Sequence, residues 1–491
     1  LVIERGIEPG EAAAGMGRMT LALYNPDGRY TPGHEGVTTG FEVGIGVRLR
    51  ATYGESTVTL FYGRLAEIAP APDKGAPVTH LVGLDDMAWL GRARLEAFPL
   101  LLNVTPKELV NRLVDVSFTP PGLFGYWRLG HTVAGRLGQG ATLAGAYTGK
   151  DFDEGQSAFP WAGDTWRGET TALEALRDVC ASEGGRFYLK ADGTPVFEDR
   201  HARPKHVAAE GALSGSLAGL SASREQARIA NRVAITTYPR DMAEADEVLW
   251  ESGSDVRLAP GIPRTVVCHY VDPDQPAARV GALDVIPPVE GTDYAATNLP
   301  AGYGWDATQY VDVEAELGAS SARLTLTSRW PYSQPVYVHL LRVRGKPLRA
   351  YQPVTVIDAD EDSQLAHGLL PLRLDMPLQD DAAVAGDMAR ALLTHRKDPH
   401  PWIAVTVEAT VSAALLEQAL ARDVGDRLSV SDPALGLESA GCFIERIRHE
   451  IRRGGASHRV LWRTSPADLT GYWVLGQSGY AELGQSTWLG Y

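Results

Sequence analysis

Val47-Arg-Leu-Arg-Ala-Thr-Tyr53 is followed by the short stretch Gly54-Glu-Ser56 and then by Thr57-Val-Thr-Leu-Phe-Tyr62. Apolar and polar side chains alternate in both runs, which is typical of half-buried β-strands. The glycine between the runs predicts a tight turn, and Gly63 inside the second strand indicates a bulge or a close backbone contact. We expect a hairpin whose buried face holds Val47, Leu49, Val58 and Leu60, and whose exposed face holds Arg48, Arg50, Thr52, Thr57 and Thr59.

Two further strands are expected around this hairpin. Met19-Thr-Leu-Ala-Leu-Tyr24 alternates in the same way and ends in Asn25-Pro-Asp-Gly28. That ending is a strong turn signal, because proline presets one φ angle and glycine accepts a positive one. The other strand is Val78-Thr-His-Leu-Val-Gly-Leu84. Together the strands predict a small, highly curved β-barrel, to which we assign residues 1–102.

The composition favours β-structure divided among several domains. The chain has 491 residues, enough for about three or four domains, and its 52 Gly and 31 Pro argue against long helices. The 61 acidic and 46 basic residues give a net charge of −15, which disfavours sequence-independent binding of nucleic acid. No run approaches about 18 apolar residues, so we expect no membrane span. The predicted class is mainly β with minor α+β.

Residues 103–224 are predicted to form an α+β unit. Thr105-Pro-Lys-Glu108 carries a helix N-cap, a proline at the first helical position and an acid three residues after the cap. Thr170–Cys180 predicts a second helix, which Gly184-Gly185 ends. An Asp-Gly turn after Arg186–Lys190 predicts a β-hairpin with the apolar run that follows it.

A second β-barrel is expected from residues 225–250 together with 336–470, including one long helix at 380–394. Cys442–Ile451 is compatible with a helix or a strand. We predict a strand, because a turn signal and a possible partner strand, His458–Trp462, follow it.

The stretch 251–335, rich in Pro, Gly and Asp, is predicted to be a β-sandwich inserted into the second barrel. The strong strand signals on its two sides, 229–238 and 336–345, are expected to be neighbours in that barrel. The insertion should therefore be removable without loss of the fold around it.

One internal repeat is present. Gly125-Tyr-Trp-Arg-Leu-Gly130 recurs as Gly471-Tyr-Trp-Val-Leu-Gly476, and nine of 21 ungapped positions are identical. So many identities favour a structural patch used twice over coincidence in a glycine-rich chain. We assign residues 471–491 to a C-terminal repeat tail.

Two places could be taken for metal sites. Asp358-Ala-Asp-Glu-Asp362 resembles the start of a calcium loop, but Ser363 and Leu369 stand where such a loop needs Gly and Glu. His395 and His400 are separated by a proline, which spoils a ligand pair on one helix face. A solvated acidic loop and two unrelated histidines are the interpretations we favour, and we predict neither a metal nor a cofactor.

Catalytic groups are not evident either. Asp85 and Asp86 are adjacent, and neighbours on a strand point to opposite faces and would not share a substrate. The chain lacks nucleophile-elbow, Walker and dinucleotide-binding motifs. Three widely spaced cysteines predict isolated thiols of a reducing cytosol, namely Cys180, Cys268 and Cys442. We predict no catalytic residue.

Met19–Pro32 resembles the opening of tail proteins from long-tailed phages and prophages, in which a strand ends in Asn-x-Asp-Gly-Arg-Tyr/Phe-Ser/Thr-Pro. Further similar pieces follow in the family's order over most of the chain, namely Gly46–Arg50, Leu60–Leu65, Thr171–Leu176, Gly185–Tyr188, Asp192–Thr194, Leu341–Leu348 and the Leu-Gly-x-Ser tail from Leu475.

This resemblance implies a baseplate hub, or tail-tip, protein of the virion that is made in the host cytoplasm. In such hubs each subunit has two barrels that resemble tail-tube proteins, and a homotrimer presents six barrels to the six-fold tube. The implied partners are the distal tail or tail tube protein, the tape measure protein and a central fibre or tip protein. DNA would pass through the channel without specific binding.

The hairpin at residues 47–62 is the candidate for subunit contact or pore lining, through Arg48, Arg50, Thr57 and Thr59. A solvated outer face is an equally good interpretation of the same residues.

Two other classes of function stay open. One is a tail-associated cell-wall hydrolase. The other is a carbohydrate-binding receptor module in the insertion, with sugar stacked on Trp305, Tyr310, Trp330 or Tyr332, although these aromatic residues also suit a sandwich core.

Overall fold

The computed structural model describes residues 1–8, 11–71, 77–95, 98–117, 149–215 and 217–467. It is 45% strand and 19% helix and contains several separate sheets, which confirms the mainly β, multidomain class. Both copies of the Gly-Tyr-Trp repeat, in 125–143 and 471–491, lie outside the described residues.

The first part of the chain supplies one half of a large sheet and two helices. Its elements are β1 (Val2–Gly6), β2 (Arg18–Tyr24), β3 (Gly46–Tyr53), β4 (Ser56–Ala71), β5 (Val78–Leu84), α1 (Met87–Leu90), β6 (Leu101–Val104) and α2 (Pro106–Ser117). The next part forms the α+β unit and returns to the sheet. Its elements are β7 (Asp151–Phe152), β8 (Phe159–Ala162), α3 (Ala172–Glu183), β9 (Arg186–Leu189), β10 (Pro195–Glu198), α4 (Ala202–Lys205), β11 (Gly211–Ser214) and β12 (Gly219–Ser223).

The third part of the chain consists mainly of strands. They are β13 (Arg232–Thr237), β14 (Arg240–Met242), β15 (Glu247–Glu251), β16 (Val256–Leu258), β17 (Arg264–His269), β18 (Gly281–Ile286), β19 (Tyr294–Thr297), β20 (Val311–Leu317), β21 (Ser321–Ser328) and β22 (Val336–Ala350). The last part adds the longest helix and the second half of the large sheet. Its elements are β23 (Val354–Ala359), α5 (Glu361–His367), β24 (Pro371–Met376), α6 (Ala382–Arg396), β25 (Trp402–Glu408), α7 (Ala413–Ala421), β26 (Arg427–Asp432), β27 (Leu437–Arg452) and β28 (Ser457–Pro466).

Eleven strands of the described chain form one sheet, whose main path is β12-β25-β28-β27-β1-β2-β5-β4-β3. Strand β1 lies at its centre and pairs antiparallel with both β2 and β27. One side of β1 carries β2, β5, β4 and β3, all from the first barrel segment. The other side carries β27, β28 and β25 from the second barrel segment and β12 from the α+β unit, and β26 and β11 join it through β27. Among the described strands no pairing closes either set into a barrel, because β3, β12 and β11 each pair with one strand alone.

The capped helices form where the sequence predicts them. Thr105 and Glu108 exchange side-chain and backbone hydrogen bonds ahead of α2, and Thr171 and Glu174 do the same for α3. Gly184 ends α3 in the left-handed conformation, with φ at 73°. The predicted hairpin is β9 paired with β10, and Cys442–Ile451 lies in strand β27, paired with β28.

The expected pairing of 229–238 with 336–345 is wrong. Strand β13 instead pairs with β23 and β24 in a small sheet that packs on α6, with a separate core that includes Val233, Ile235 and Met388. Strand β22 belongs to the insertion, where it pairs with β14, β15, β16, β18 and β19. Both runs alternate as strands should, but alternation does not identify the partner strand.

The insertion is consequently longer than 251–335 and comprises residues 240–350. Its core joins Leu249 and Val343, which lie outside the predicted limits, to Leu324 and Leu326 within them. It leaves and re-enters the β13–β23 hairpin at one point, where the Tyr351 amide donates to the Pro239 carbonyl at 2.9 Å.

The insertion also contacts the α+β unit. A buried ion pair joins Arg240 to Asp164 at 2.6 Å, the Ala319 amide donates to the Phe98 carbonyl, and the Ser320 hydroxyl donates to the Trp166 carbonyl. These polar contacts are outside the insertion's own apolar core. The insertion is therefore a docked unit with an independent core.

We predict that residues 240–350 can be replaced by Asn-Gly with retention of the remaining fold. The ends already lie within hydrogen-bonding distance, and Asn-Gly suits a two-residue hairpin turn. Asp164→Asn should accompany the excision, because Asp164 would lose its arginine partner. Circular dichroism and size-exclusion chromatography should show a monodisperse, cooperatively melting protein.

Removal of 251–335 alone is the matched control. It cuts through the core that joins Leu249 to Leu324, so we expect aggregation or loss of the melting transition. The new boundaries would be contradicted if the two excisions behaved alike.

Candidate functional site

The edge strands of the large sheet are the places where it can be extended. Within the described chain, β3 pairs with β4 alone and β12 pairs with β25 alone. An edge strand presents unpaired N–H and C=O groups on one side and is a ready template for another strand. Strand β11 likewise pairs with β26 alone, so one molecule offers the edge of β3 on one side of β1 and the edges of β12 and β11 on the other.

The β3–β4 hairpin has the two faces expected from the sequence. Val47, Leu49 and Val58 are half-buried against a small core formed with Leu60 and Phe61. The register shifts between Leu49 and Arg50, which leaves Leu60 unpaired as a β-bulge. Gly63 is a close backbone contact, because a Cβ atom there would lie 2.2 Å from the Leu84 carbonyl oxygen.

The polar face of this hairpin is less uniform than its sequence suggests. Arg50, Thr52 and Thr57 are exposed, and the two threonine hydroxyls are 3.0 Å apart. Thr59 and Arg48 are half-buried, and the Arg48 guanidinium lies 5.3 Å from the centre of the Tyr62 ring.

The Tyr62 ring in turn packs against the β9–β10 turn, where a Cβ on Gly193 would lie 2.5 Å from it. Arg48 therefore contributes to packing between the hairpin and the α+β unit. Arg50 is the basic side chain of this hairpin that is free to face another molecule.

The Asn-Pro-Asp-Gly segment that carries the family resemblance folds around one buried amide. Asn25 is 6% exposed, and its Nδ2 donates to the hydroxyls of Thr31 and Thr79 at 2.8 and 2.9 Å. Its Oδ1 accepts from the Tyr30 amide. Gly28 has φ at 72°, which few other residues adopt without strain. The segment is thus a structured loop that closes the end of β2 onto β5.

A buried ion network fixes the second half of the sheet to the α+β unit. Glu445 on β27 is 4% exposed and accepts from Arg203 at 2.6 and 3.1 Å and from Arg186 at 3.0 Å. Arg203 also donates to Glu198, which accepts from the Tyr188 hydroxyl. The two guanidiniums hold the pKa of Glu445 at about 2 despite its burial.

Asp85 and Asp86 lie in the turn between β5 and α1 and are both buried. Asp85 accepts from the Met87 amide, and burial raises its pKa to about 7. Asp86 lies 3.7 Å from Arg64. A Cβ on Gly17 would stand 2.2 Å from an Asp85 carboxylate oxygen, so the chain closes over this group. The pair is part of the packing around α1.

The candidate metal sites have other contacts. Asp360 caps α5 by accepting from the Ser363 amide and pairs with Lys397 at 2.9 Å. Burial lowers the pKa of His395 to about 4, so it is neutral at pH 7. Among the described residues no group of three or more His, Cys, Asp or Glu side chains could hold a metal ion. All three cysteines lie within the described residues, are buried and form no disulfide.

The four aromatic residues proposed for sugar stacking divide into two kinds. Trp330 is 7% exposed in the insertion core, and Tyr310 packs on it edge to face at 5.0 Å. Trp305 and Tyr332 are 70% and 56% exposed. Tyr303, which was not among the predicted residues, is 71% exposed. No helix in the described ranges is long and apolar enough to cross a membrane.

No protein-family model and no curated protein matches this sequence. Solved structures do resemble the chain. The 43 kDa tail protein of prophage MuSo2 from Shewanella oneidensis is 10% identical with a TM-score of 0.47, over 95% of this chain and 94% of that one. A tail protein from Neisseria meningitidis is 12% identical with a TM-score of 0.47, over 94% and 91%.

An Escherichia coli component of the type VI secretion system is 10% identical with a TM-score of 0.38, over 95% of this chain and 73% of that one. It is described as structurally similar to the bacteriophage T4 tail proteins gp27 and gp5.

Proposed function

We propose that this chain is a structural subunit of a phage or prophage tail tip, a baseplate hub that assembles as a homotrimer. The observation that carries the proposal is the continuous sheet, in which four strands lie on one side of β1 and six on the other. A hub that joins a six-fold tube to a three-fold tip needs two such units side by side in every subunit.

The edges of β3 and β12 suit closure of a ring. Three copies would meet head to tail, with the β3 edge of one copy beside the β12 edge of the next. Such a contact uses two different surfaces and closes when its rotation is one third of a turn. Closure would also cover the edge strands, which are otherwise open to pairing with unrelated chains.

The proposed partners follow from the hub role. The distal tail or tail tube protein would stack on one side of the ring, and a central fibre or tip protein would fill the other. The tape measure protein and then DNA would pass through the channel. A net charge of −15 suits a conduit that must release DNA.

The proposed role is structural and not enzymatic. Three of the described carboxylates, Asp360, Asp85 and Glu445, are engaged in a helix cap, in packing and in an ion network. The exposed aromatic pair Trp305 and Tyr332 keeps carbohydrate binding by the insertion as a second candidate, which a glycan array on the whole protein would test.

We predict that Arg50→Glu weakens trimer formation by about tenfold or more, since a reversed charge in an interface contributes about 1–3 kcal/mol of repulsion. Arg48→Glu with Arg50→Glu should weaken it further, but the double variant also disturbs the packing of Arg48 on Tyr62. Mass photometry across a concentration series measures the trimer fraction, and thermal melting reports folding.

The matched control reverses two exposed arginines elsewhere, Arg373→Glu with Arg390→Glu, on β24 and α6. It should leave the trimer fraction unchanged. If Arg50→Glu trimerises and joins tails as the unmodified protein does, the hairpin is not in the interface. If the unmodified protein is a monomer at every concentration, the hub proposal itself fails.

A further inference from the structure

A cavity of about 670 Å³ lies where α3, α6 and the strands β27 and β28 meet. Its volume is that of a site for a small molecule. The wall from α6 and its surroundings is largely apolar and includes Leu374, Met388, Leu392, Ile229 and Trp402.

Most arginines in the wall of this cavity have a carboxylate partner. The pairs are Arg177 with Glu11, Arg186 with Glu445, Arg200 with Glu183, Arg203 with Glu198 and Glu445, and Arg228 with Glu225. Arg228 also lies flat on the Trp402 ring, 3.8 Å from its centre. These contacts fix the charged part of the wall.

Arg396 is the exception. It is the last residue of α6, is half-buried, and lines the cavity without an ion pair or side-chain hydrogen bond to any residue that the structure describes. Burial and the positive charges of Arg186 and Arg228 lower the pKa of Arg396. The neighbouring His395 is neutral at pH 7 because its pKa is about 4. The wall of the cavity therefore holds one guanidinium without an ion pair beside the apolar side chains. Two acids of the same wall, Asp199 and Asp398, also have no ion pair among the described residues.

This combination selects the chemistry of a ligand. A guanidinium binds a carboxylate through two parallel hydrogen bonds. Inorganic phosphate would leave oxygens against the apolar wall without donors, which is costly.

We propose that this cavity binds a small organic carboxylate, whose charged group pairs with Arg396 and whose apolar body lies against Leu392, Met388 and Trp402. The proposal does not depend on the hub role, because it rests on the wall of the cavity within a single chain.

The uncompensated charge also gives a stability argument. An arginine kept for structure has acceptors, as Arg203 has, and its removal destabilises the protein. Arg396 has none among the described residues, so replacing it should leave the free protein equally stable or more stable. Retention of a destabilising group is a common mark of a binding site.

The test uses the full-length protein, 2-naphthoate as the anionic probe and 2-naphthamide as its neutral counterpart. Isothermal titration calorimetry should show binding of 2-naphthoate, and 2-naphthamide should bind about tenfold or more weakly, as expected for loss of a charged hydrogen bond. Arg396→Gln should weaken 2-naphthoate binding by a similar factor without lowering the melting temperature. The matched control is Arg390→Gln, since Arg390 lies on the same helix but is exposed and paired with Asp387.

Three results would overturn the proposal. One is equal binding of the acid and the amide. Another is an unchanged affinity for 2-naphthoate in Arg396→Gln. The third is a lower melting temperature in Arg396→Gln than in Arg390→Gln, which would identify Arg396 as a structural residue.

Discussion

Glu445→Gln is expected to lower the free energy of unfolding by about 3–5 kcal/mol, the usual cost of leaving buried charges without their partner. The carboxylate accepts from two arginines and from the Ser465 hydroxyl, and it is 4% exposed. In this variant Arg203 would keep its ion pair with Glu198, but Arg186 would lose its ion pair with residue 445. Urea denaturation followed by tryptophan fluorescence measures the effect, since Trp462 is fully buried in the same sheet.

The effect should depend on pH with a definite sign. The pKa of Glu445 is about 2 in the folded protein and near 4.5 when the chain is unfolded. A carboxylate whose pKa is lowered by folding contributes its full stabilisation of the folded protein at any pH above its pKa in the unfolded chain. This contribution is lost as the pH falls through its pKa in the folded protein. The difference between the unmodified protein and Glu445→Gln should be largest above pH 5 and shrink steadily towards pH 2.

Glu438→Gln provides the control, because Glu438 lies on the same strand and is exposed. Its unfolding free energy should match that of the unmodified protein within about 0.5 kcal/mol. Equal stability of the two variants, or a Glu445→Gln effect that does not change with pH, would contradict the role assigned to the network.

Local structure was predictable because its causes are local. A hairpin needs alternating side chains around a turn, and a helix start needs a cap, so β3–β4, β9–β10, α2 and α3 could all be read from short stretches. The strand β27 was decided by the turn and partner that follow it. In each case the interacting residues are separated by a few positions.

The partners of distant strands were not predictable in this way. The alternation of side chains predicts that β13 and β22 are strands, but it does not indicate the sheet to which each belongs. In the structure they belong to two different sheets. Strand β1 was missed because Val2–Gly6 is only five residues long, although it pairs with strands on both sides. The pairing of Val2 with Glu450 cannot be inferred from the residues around either position.

The candidate site shows the same limit. The sequence indicated which hairpin residues are polar, but not that Arg48 packs on Tyr62 while Arg50 stays exposed. The Glu445 network and the cavity at Arg396 combine residues more than 150 positions apart, so spacing could not reveal them. A charged residue at the end of a helix, as Arg396 is, is ordinary until its surroundings are known.

Gly6→Ala is expected to separate the two halves of the large sheet. Gly6 ends β1, faces Arg446 of β27, and has φ at 124°. A Cβ atom there would lie 2.1 Å from the Glu445 carbonyl oxygen and 2.8 Å from the Arg446 Cα, and both atoms belong to the backbone. Neither can turn aside as a flexible side chain would. The same Glu445 oxygen already accepts from the Ile7 amide, so β1 would have to move away from β27.

Strain at a positive φ and the backbone clash together should lower the free energy of unfolding by about 3 kcal/mol or more. Gly33→Ala measures the strain without the clash, because Gly33 has φ at 82° with open space around it. This control should lower the free energy of unfolding by about 1 kcal/mol. Urea denaturation gives both values, and mass photometry gives the trimer fraction of each variant. If β1 holds the two sets of strands in one sheet, Gly6→Ala should lose trimers while Gly33→Ala keeps them. Equal stability and equal assembly of the two variants would mean that β1 does not hold the halves together, and the continuous sheet would lose its place in the proposed hub.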